Sequence, residues 1–270
     1  MVSASDGVAL HAEAHGDGVP VLFSCAFCTT SENWRGQVEP LVAAGYRVVL
    51  WDYRGHGRSG APEDPAAYDF DQVVRDLESV LDWAAPGEAA VLAGLSFGGL
   101  ASLHFAHRQP ARVRALVLAG SGPGFKNPEA QKGWEEQVER TASFLEARGF
   151  DDFVAGKAGR TVVGLAPDLP AAKRAASAIR AQSVPGVAAF ARGCAGPAPC
   201  IIDELAEIGA PALVIVGDGD RPYLRAAEVM AAKLPNARHR QLENAGHLLN
   251  IEQAAAFDAA VLEFLAEVAS

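Results

Sequence analysis

Short runs of apolar, often β-branched residues recur along the chain, and between them apolar positions return every three or four residues. The runs Val19–Ala26, Arg47–Tyr53, Ala89–Leu95, Ala115–Ala119, Ala212–Val216 and Arg238–Leu242 predict strands. Several are apolar without alternation, the pattern of strands covered on both faces. Val73, Leu77, Val80, Leu81 and Ala84 share one helical stripe, a pattern that turns Arg75, Asp76 and Glu78 outward. Ile251, Ala254, Phe257, Val261, Phe264 and Val268 repeat the spacing and predict a C-terminal packing helix. Strands alternating with helices predict an α/β fold: a mainly parallel twisted sheet flanked by helices.

From Gly122 to about Leu205 the alternation stops. Trp134–Arg148 predicts a helix ended by Gly149, and Ala171–Gln182 another that ends before Pro185-Gly186. Gly193–Pro199, with its Gly, Pro and Cys, predicts a loop. Helices inserted between two strands of a parallel sheet predict a lid over the sheet's carboxyl end, where open α/β sheets bind ligands. The expected organisation is a core in 1–121, a helical cap in 122–205 and the second part of the core in 206–270. Trp134, Phe144, Phe150 and Phe153 lie in the cap; some of them are expected to face a substrate pocket and the others to pack helix on helix.

At 270 residues the chain can bury an ample core, and with half its residues apolar and 21% charged it is not a disordered sequence. Its 23 basic and 33 acidic side chains leave a net charge of −10, which argues against a nucleic-acid partner. No apolar run reaches the ~18 residues that cross a bilayer, so no membrane partner is expected. Met1–Asp6 lacks a basic segment followed by an apolar one, so no signal peptide is visible and a cytoplasmic location is the expectation. Cysteines stand at 25, 28, 194 and 200. Cys25-x-x-Cys28 has zinc or redox spacing, but no second pair completes a site, and reduced, partly buried thiols are expected.

The candidate chemistry begins where the strand ending at Leu95 runs into Gly94-Leu95-Ser96-Phe97-Gly98-Gly99 and then the helical segment Leu100–Arg108. This is G-x-S-x-G between a strand and a helix, the context in which it forms a sharp turn that presents the serine hydroxyl. The small neighbours let strand and helix pack closely around a strained serine. Further on, Gly217-Asp218-Gly219-Asp220 follows the strand Ala212–Val216, and Asn244-Ala245-Gly246-His247 follows the last strand. Ser, Asp and His in that order, each just after a strand, suit a nucleophile, an orienting carboxylate and a base. Asp218 and Asp220 both remain candidates for the carboxylate. The other six histidines, at 11, 15, 56, 104, 107 and 239, fit structural or solvated positions better.

The chain resembles the α/β-hydrolase superfamily, and its capped esterase and enol-lactonase branch in particular. Besides the three motifs, Asp52-Tyr53-Arg54-Gly55-His56-Gly57-Arg58-Ser59 is similar to the family's D-x-R-G-x-G-x-S turn, and Asn244–Gln253 resembles the branch. The resemblance implies the catalytic set Ser96, Asp220 and His247, since the family's G-x-x-D spacing counted from Gly217 selects Asp220. It implies an oxyanion hole from the backbone N–H groups of Phe27 and Phe97. Cys25-Ala26-Phe27-Cys28 stands where family members usually carry His-Gly, a departure in the oxyanion loop. Cys28, Trp134 and Leu248 are candidates to line the pocket.

These readings imply a serine hydrolase that cleaves a small-molecule ester or lactone through an acyl-enzyme, with no metal and no organic cofactor. The same triad also supports C–C hydrolase, perhydrolase and amidase chemistry. Ser96 points away from epoxide hydrolases and dehalogenases of this fold, in which an Asp at the elbow is expected. The non-enzymatic alternative is a hydrolase-like receptor that holds a small ligand with little turnover.

Overall fold

The computed structural model describes residues 1–268. A two-stranded ribbon, β1 (Val2–Ser3) with β2 (Ala9–Leu10), precedes a seven-stranded sheet. The sheet's strands are β3 (Ala12–His15), β4 (Val19–Ser24), β5 (Tyr46–Trp51), β6 (Ala90–Leu95), β7 (Val113–Ala119), β8 (Ala212–Gly217) and β9 (Ala237–Leu242). Their order is β3-β5-β4-β6-β7-β8-β9, with β3 antiparallel to β5 and every other neighbouring pair parallel. The six strands expected from the sequence are present, displaced by at most two residues at an end.

The helices are α1 (Arg35–Ala43), α2 (Phe70–Ala84), α3 (Phe97–Arg108), α4 (Pro128–Ala155), α5 (Gly159–Val162), α6 (Pro170–Arg180), α7 (Val184–Phe190), α8 (Arg221–Lys233), α9 (Leu249–Glu252) and α10 (Ala254–Val268). The central strands β4, β6, β7 and β8 are buried almost end to end, as their unbroken apolar runs require. At the edge, β9 carries Arg238, His239, Arg240 and Gln241 outward, charge and polarity that discourage a further strand from adding.

Strand order decides where a site can form. From β4 the chain moves to β5 on one side and then crosses back past β4 to β6 on the other, so the connections diverge between β4 and β6. The crevice outside the carboxyl ends of strands at such a switch point is the ligand-binding position of open α/β sheets. Ser24 pairs with Gly94 across these strands, which sets the loop beginning at Cys25 beside Ser96.

Three local expectations change. Asp76 is not turned outward: it is fully buried on α2, where Arg54 Nε and Nη2 each donate to its carboxylate at 2.7 Å. The apolar stripe misplaces it because a buried bidentate ion pair leaves no hydrophobic signature. The helix α6 ends at Arg180, before Pro185-Gly186 as expected, and Pro185 itself lies in the first turn of α7, capped by the Ser183 side chain, which accepts from Gly186 N–H at 3.2 Å. Gly193 is not the start of a loop but lies in a π-helical turn over Ala191–Ala195. The C-terminal helical pattern is split at Gln253 into α9 and α10. Gly149 breaks the long helix as expected, with φ 73° and ψ 179°, but α4 resumes beyond it to Ala155. Between β7 and β8 the described residues form helices, turns and irregular segments, and no strand.

Candidate active site

Ser96 joins β6 to α3 at φ 55° and ψ −116°, outside the regions ordinary residues prefer. Close packing enforces this turn. A Cβ on Gly94 would lie 2.2 Å from the Gly98 carbonyl carbon, and one on Gly98 would lie 2.3 Å from Ser24 O. Backbone bonds hold the serine, since Ser96 N–H donates to Ala119 O at 2.9 Å and Ser121 Oγ donates to Ser96 O at 2.7 Å. Its hydroxyl opens onto a cavity of about 770 Å³ that is lined mainly by apolar groups.

His247 and Asp220 reach the same cavity from the loops after β9 and β8. His247 Nδ1 lies 2.8 Å from Asp220 Oδ2, and Asp220 is only 5% exposed. An ionised carboxylate accepts only, so Nδ1 carries the proton and Nε2 is left with its lone pair. Asp218 takes a different place: exposed, with its Oδ1 accepting from Ala245 N–H at 3.1 Å. Backbone N–H donors at Asn244 and Ala245 hold the Asp218 carboxyl below its usual range. The two carboxylates that spacing alone left open are thus divided, one on the imidazole and one on the backbone of the histidine loop.

The loop after β4 contains one left-handed residue. Its left-handed residue is Cys28, at φ 65°, and not Ala26. Cys28 N–H donates to His56 Nε2 at 3.3 Å, Cys28 O accepts from Gln182 Nε2 at 3.1 Å, and Thr29 N–H donates to Ala26 O at 3.1 Å. Phe97 is the first residue of α3, so its amide has no acceptor within that helix. Phe27 and Phe97 both line the cavity. Burial pushes the Cys25 and Cys28 thiols up, which disfavours the thiolate that redox or metal chemistry would use. Among the described residues no group of three or more His, Cys, Asp and Glu side chains could hold a metal ion.

His56 must stay neutral in this arrangement, because its Nε2 accepts from Cys28 N–H and its Nδ1 faces Arg54 O at 3.3 Å. Burial depresses its pKa to about 4, from 6.5 when unfolded. The unfolded chain therefore binds more protons between these values. Stability supplied by the neutral ring is complete above pH 6.5 and is lost as pH falls toward 4, to a limit of about 3 kcal/mol. Burial also lowers His104 to about 4, and it contributes in the same direction. Urea midpoints measured from pH 7 to pH 4 should fall, and less steeply in His56→Asn, which cannot titrate. Parallel curves for the two proteins would assign the fall to other groups.

Of the pocket candidates, Cys28 and Trp134 line the cavity, and the Trp134 indole N–H donates to Ala195 O at 2.8 Å. Leu248 does not. It precedes α9 with its side chain fully buried in the core, because the turn after His247 directs it inward. Phe153 lines the cavity, whereas Phe144 is 41% exposed and Phe150 packs within the helical excursion.

Two residues of the site escaped the sequence analysis. Tyr223, in the first turn of α8, places its phenol oxygen 3.1 Å from Ser96 Oγ and its ring against His247, with centroids 4.8 Å apart. Its position three residues after Asp220, one helical turn on, was the available signal. Glu252 accepts from the backbone N–H groups of Gly246 and, at 2.8 Å, Leu165, tying the histidine loop to the excursion between β7 and β8.

A family model for the alpha/beta hydrolase fold matches residues 19–254. The chain belongs to the α/β hydrolase fold family. Among curated relatives, the 2-hydroxy-6-oxononadienedioate/2-hydroxy-6-oxononatrienedioate hydrolase of Cupriavidus pinatubonensis is 31% identical, over 86% of this chain and 81% of its own. The 3-oxoadipate enol-lactonase 1 of Acinetobacter baylyi is 28% identical, over 94% and 91%. Among solved structures, a thermophilic esterase from Thermogutta terrifontis superposes with a TM-score of 0.87 at 26% identity, covering 100% of this chain and 98% of its own. No helix among the described residues is long and apolar enough to cross a membrane.

Proposed function

We propose that the protein is a serine hydrolase that cleaves a carboxylic ester or lactone through an acyl-enzyme. The observation that carries this reading is that Ser96, at the sharp turn after β6, shares one cavity with the Asp220–His247 pair. Ser96 Oγ attacks the carbonyl carbon while His247 Nε2 takes its proton, and Asp220 holds the imidazole tautomer and offsets the charge that develops on it. The amides of Phe27 and Phe97 hold the oxyanion. His247 then gives its proton to the departing oxygen. Water attacks the acyl-enzyme by the same route and releases the acid. None of these steps calls on a metal or an organic cofactor.

The excursion of residues 122–205 acts in this reading as a cap that selects the acyl or alcohol portion. The mainly apolar cavity favours a substrate with an apolar body, and the resemblance in sequence to an enol-lactonase supports testing lactones beside esters. A panel of p-nitrophenyl esters of increasing acyl length, together with several lactones, tests the reaction class. Turnover of at least one, abolished in Ser96→Ala, is expected; no turnover of any would count against hydrolysis. On the same panel Trp134→Ala and Phe153→Ala should change the ratio of kcat/KM between long and short acyl groups by about tenfold, the value of one or two buried methylene contacts. A uniform loss along the series would mean instead that the cap's packing was damaged.

A further inference from the structure

Tyr223 is placed where a wall residue has no need to be. Its phenol oxygen lies 3.1 Å from the Ser96 hydroxyl, and its ring is nearly parallel to the His247 imidazole, at 24°. Its backbone N–H donates to Asp220 O at 2.9 Å, so the residue that grips Nδ1 and the residue that covers the ring face share the first turn of α8. Among the described hydrogen bonds, the one to Tyr223 is the only one Ser96 Oγ makes.

We propose that Tyr223 is a further catalytic residue, its phenol O–H donating to Ser96 Oγ while its ring holds the imidazole plane. This rests on the acyl-enzyme reading above. The direction of the bond follows from proton placement. In the reacting arrangement Nε2 takes the serine proton, so Ser96 O–H then points toward His247 and the hydroxyl's remaining lone pairs are free to accept from Tyr223. During acylation the Oγ–C bond forms and the Oγ proton passes to Nε2; the bond to the leaving oxygen then breaks, and that oxygen takes the proton from Nε2. The phenol keeps its own proton and stabilises the partial negative charge that Oγ carries while its proton leaves ahead of full Oγ–C bond formation. In deacylation water adds to the acyl carbon and gives a proton to Nε2. The Oγ–C bond then breaks, Oγ recovers a proton from Nε2, and the same phenol stabilises the departing oxygen. Burial pushes the Tyr223 phenol above its ordinary value, so it remains a donor at neutral pH.

Tyr223→Phe removes the hydroxyl and keeps the stacked ring. It should lower kcat about 10- to 100-fold, with KM changed less than threefold and Tm nearly unchanged, the effect of one charge-assisted hydrogen bond made to the reacting atom. A kcat less than fivefold below wild type, or above it, would overturn the proposal and leave Tyr223 as a wall or a resting-state tether for the serine. A second readout does not depend on that variant folding. Tyr223→3,5-difluorotyrosine has a more acidic phenol, so the alkaline limb of kcat should move to lower pH as the donor is lost. The titratable groups against the phenol, Asp220 and His247, are unchanged in that protein. An unmoved limb would overturn the proposal. Wild-type labelling of Ser96 by a fluorophosphonate is measured first: its absence removes the acyl-enzyme reading itself, a different failure from a labelled enzyme that is indifferent to Tyr223.

Discussion

Ser96→Ala is expected to lose at least about 10⁴-fold in kcat on every ester or lactone that the wild type hydrolyses, because nucleophile and base act as a unit. Without Oγ there is no acyl-enzyme, and what remains is the contribution of binding and of the oxyanion amides to direct attack by water. The fold should survive. The side chain faces the cavity, and the turn is held by backbone bonds from Ser96 N–H to Ala119 and to Ser96 O from Ser121, neither of which needs the hydroxyl. A thermal midpoint close to wild type alongside the lost turnover would separate chemistry from folding. Steady hydrolysis by a clean Ser96→Ala preparation would move the reaction to another group.

Asp220→Asn should cost about 10⁴-fold in kcat at neutral pH, and Asp218→Asn much less. Asn preserves the size of the side chain at 220, but its amide can donate to Nδ1, which puts the remaining imidazole proton on Nε2, the nitrogen that must accept from Ser96. At 218 the outcome differs for a reason visible in the geometry. That carboxylate accepts from Ala245 N–H at 3.1 Å, and the carbonyl oxygen of Asn can accept the same bond. The two variants therefore form an internal control at one pH and one substrate. The reverse ranking, on folded proteins, would give the orienting role to Asp218.

Much of this architecture was legible in the chain because it follows from local steric demands. The run into Gly94-Leu95-Ser96-Phe97-Gly98 predicts a strand, a sharp turn and a helix, and the close approach of Gly98 to Ser24 is the physical reason for that spelling. Long-range polar pairing was less accessible. Asp76 reads as a solvated helix position until Arg54 arrives from another element to neutralise it. Leu248 sits beside His247 in sequence, yet the intervening turn sends the two side chains in opposite directions, one to the cavity and one to the core. Tyr223 was legible only as a helix residue, since its meeting with Ser96 spans 127 positions and depends on the order of β6 and β8 in the sheet. The loop after β4 shows the same limit: Ala26 is visible in the sequence, but the left-handed residue of the loop is Cys28, supported by His56 and Gln182 from elsewhere in the chain.

The acyl-enzyme reading is tested most directly by treating the wild-type protein with a fluorophosphonate and mapping the adduct by mass spectrometry of its peptides. The account predicts one adduct per chain, on the peptide containing Ser96, formed far more slowly in His247→Ala. A wild-type protein that stays unlabelled while folded, or an adduct on any residue other than Ser96, would contradict it.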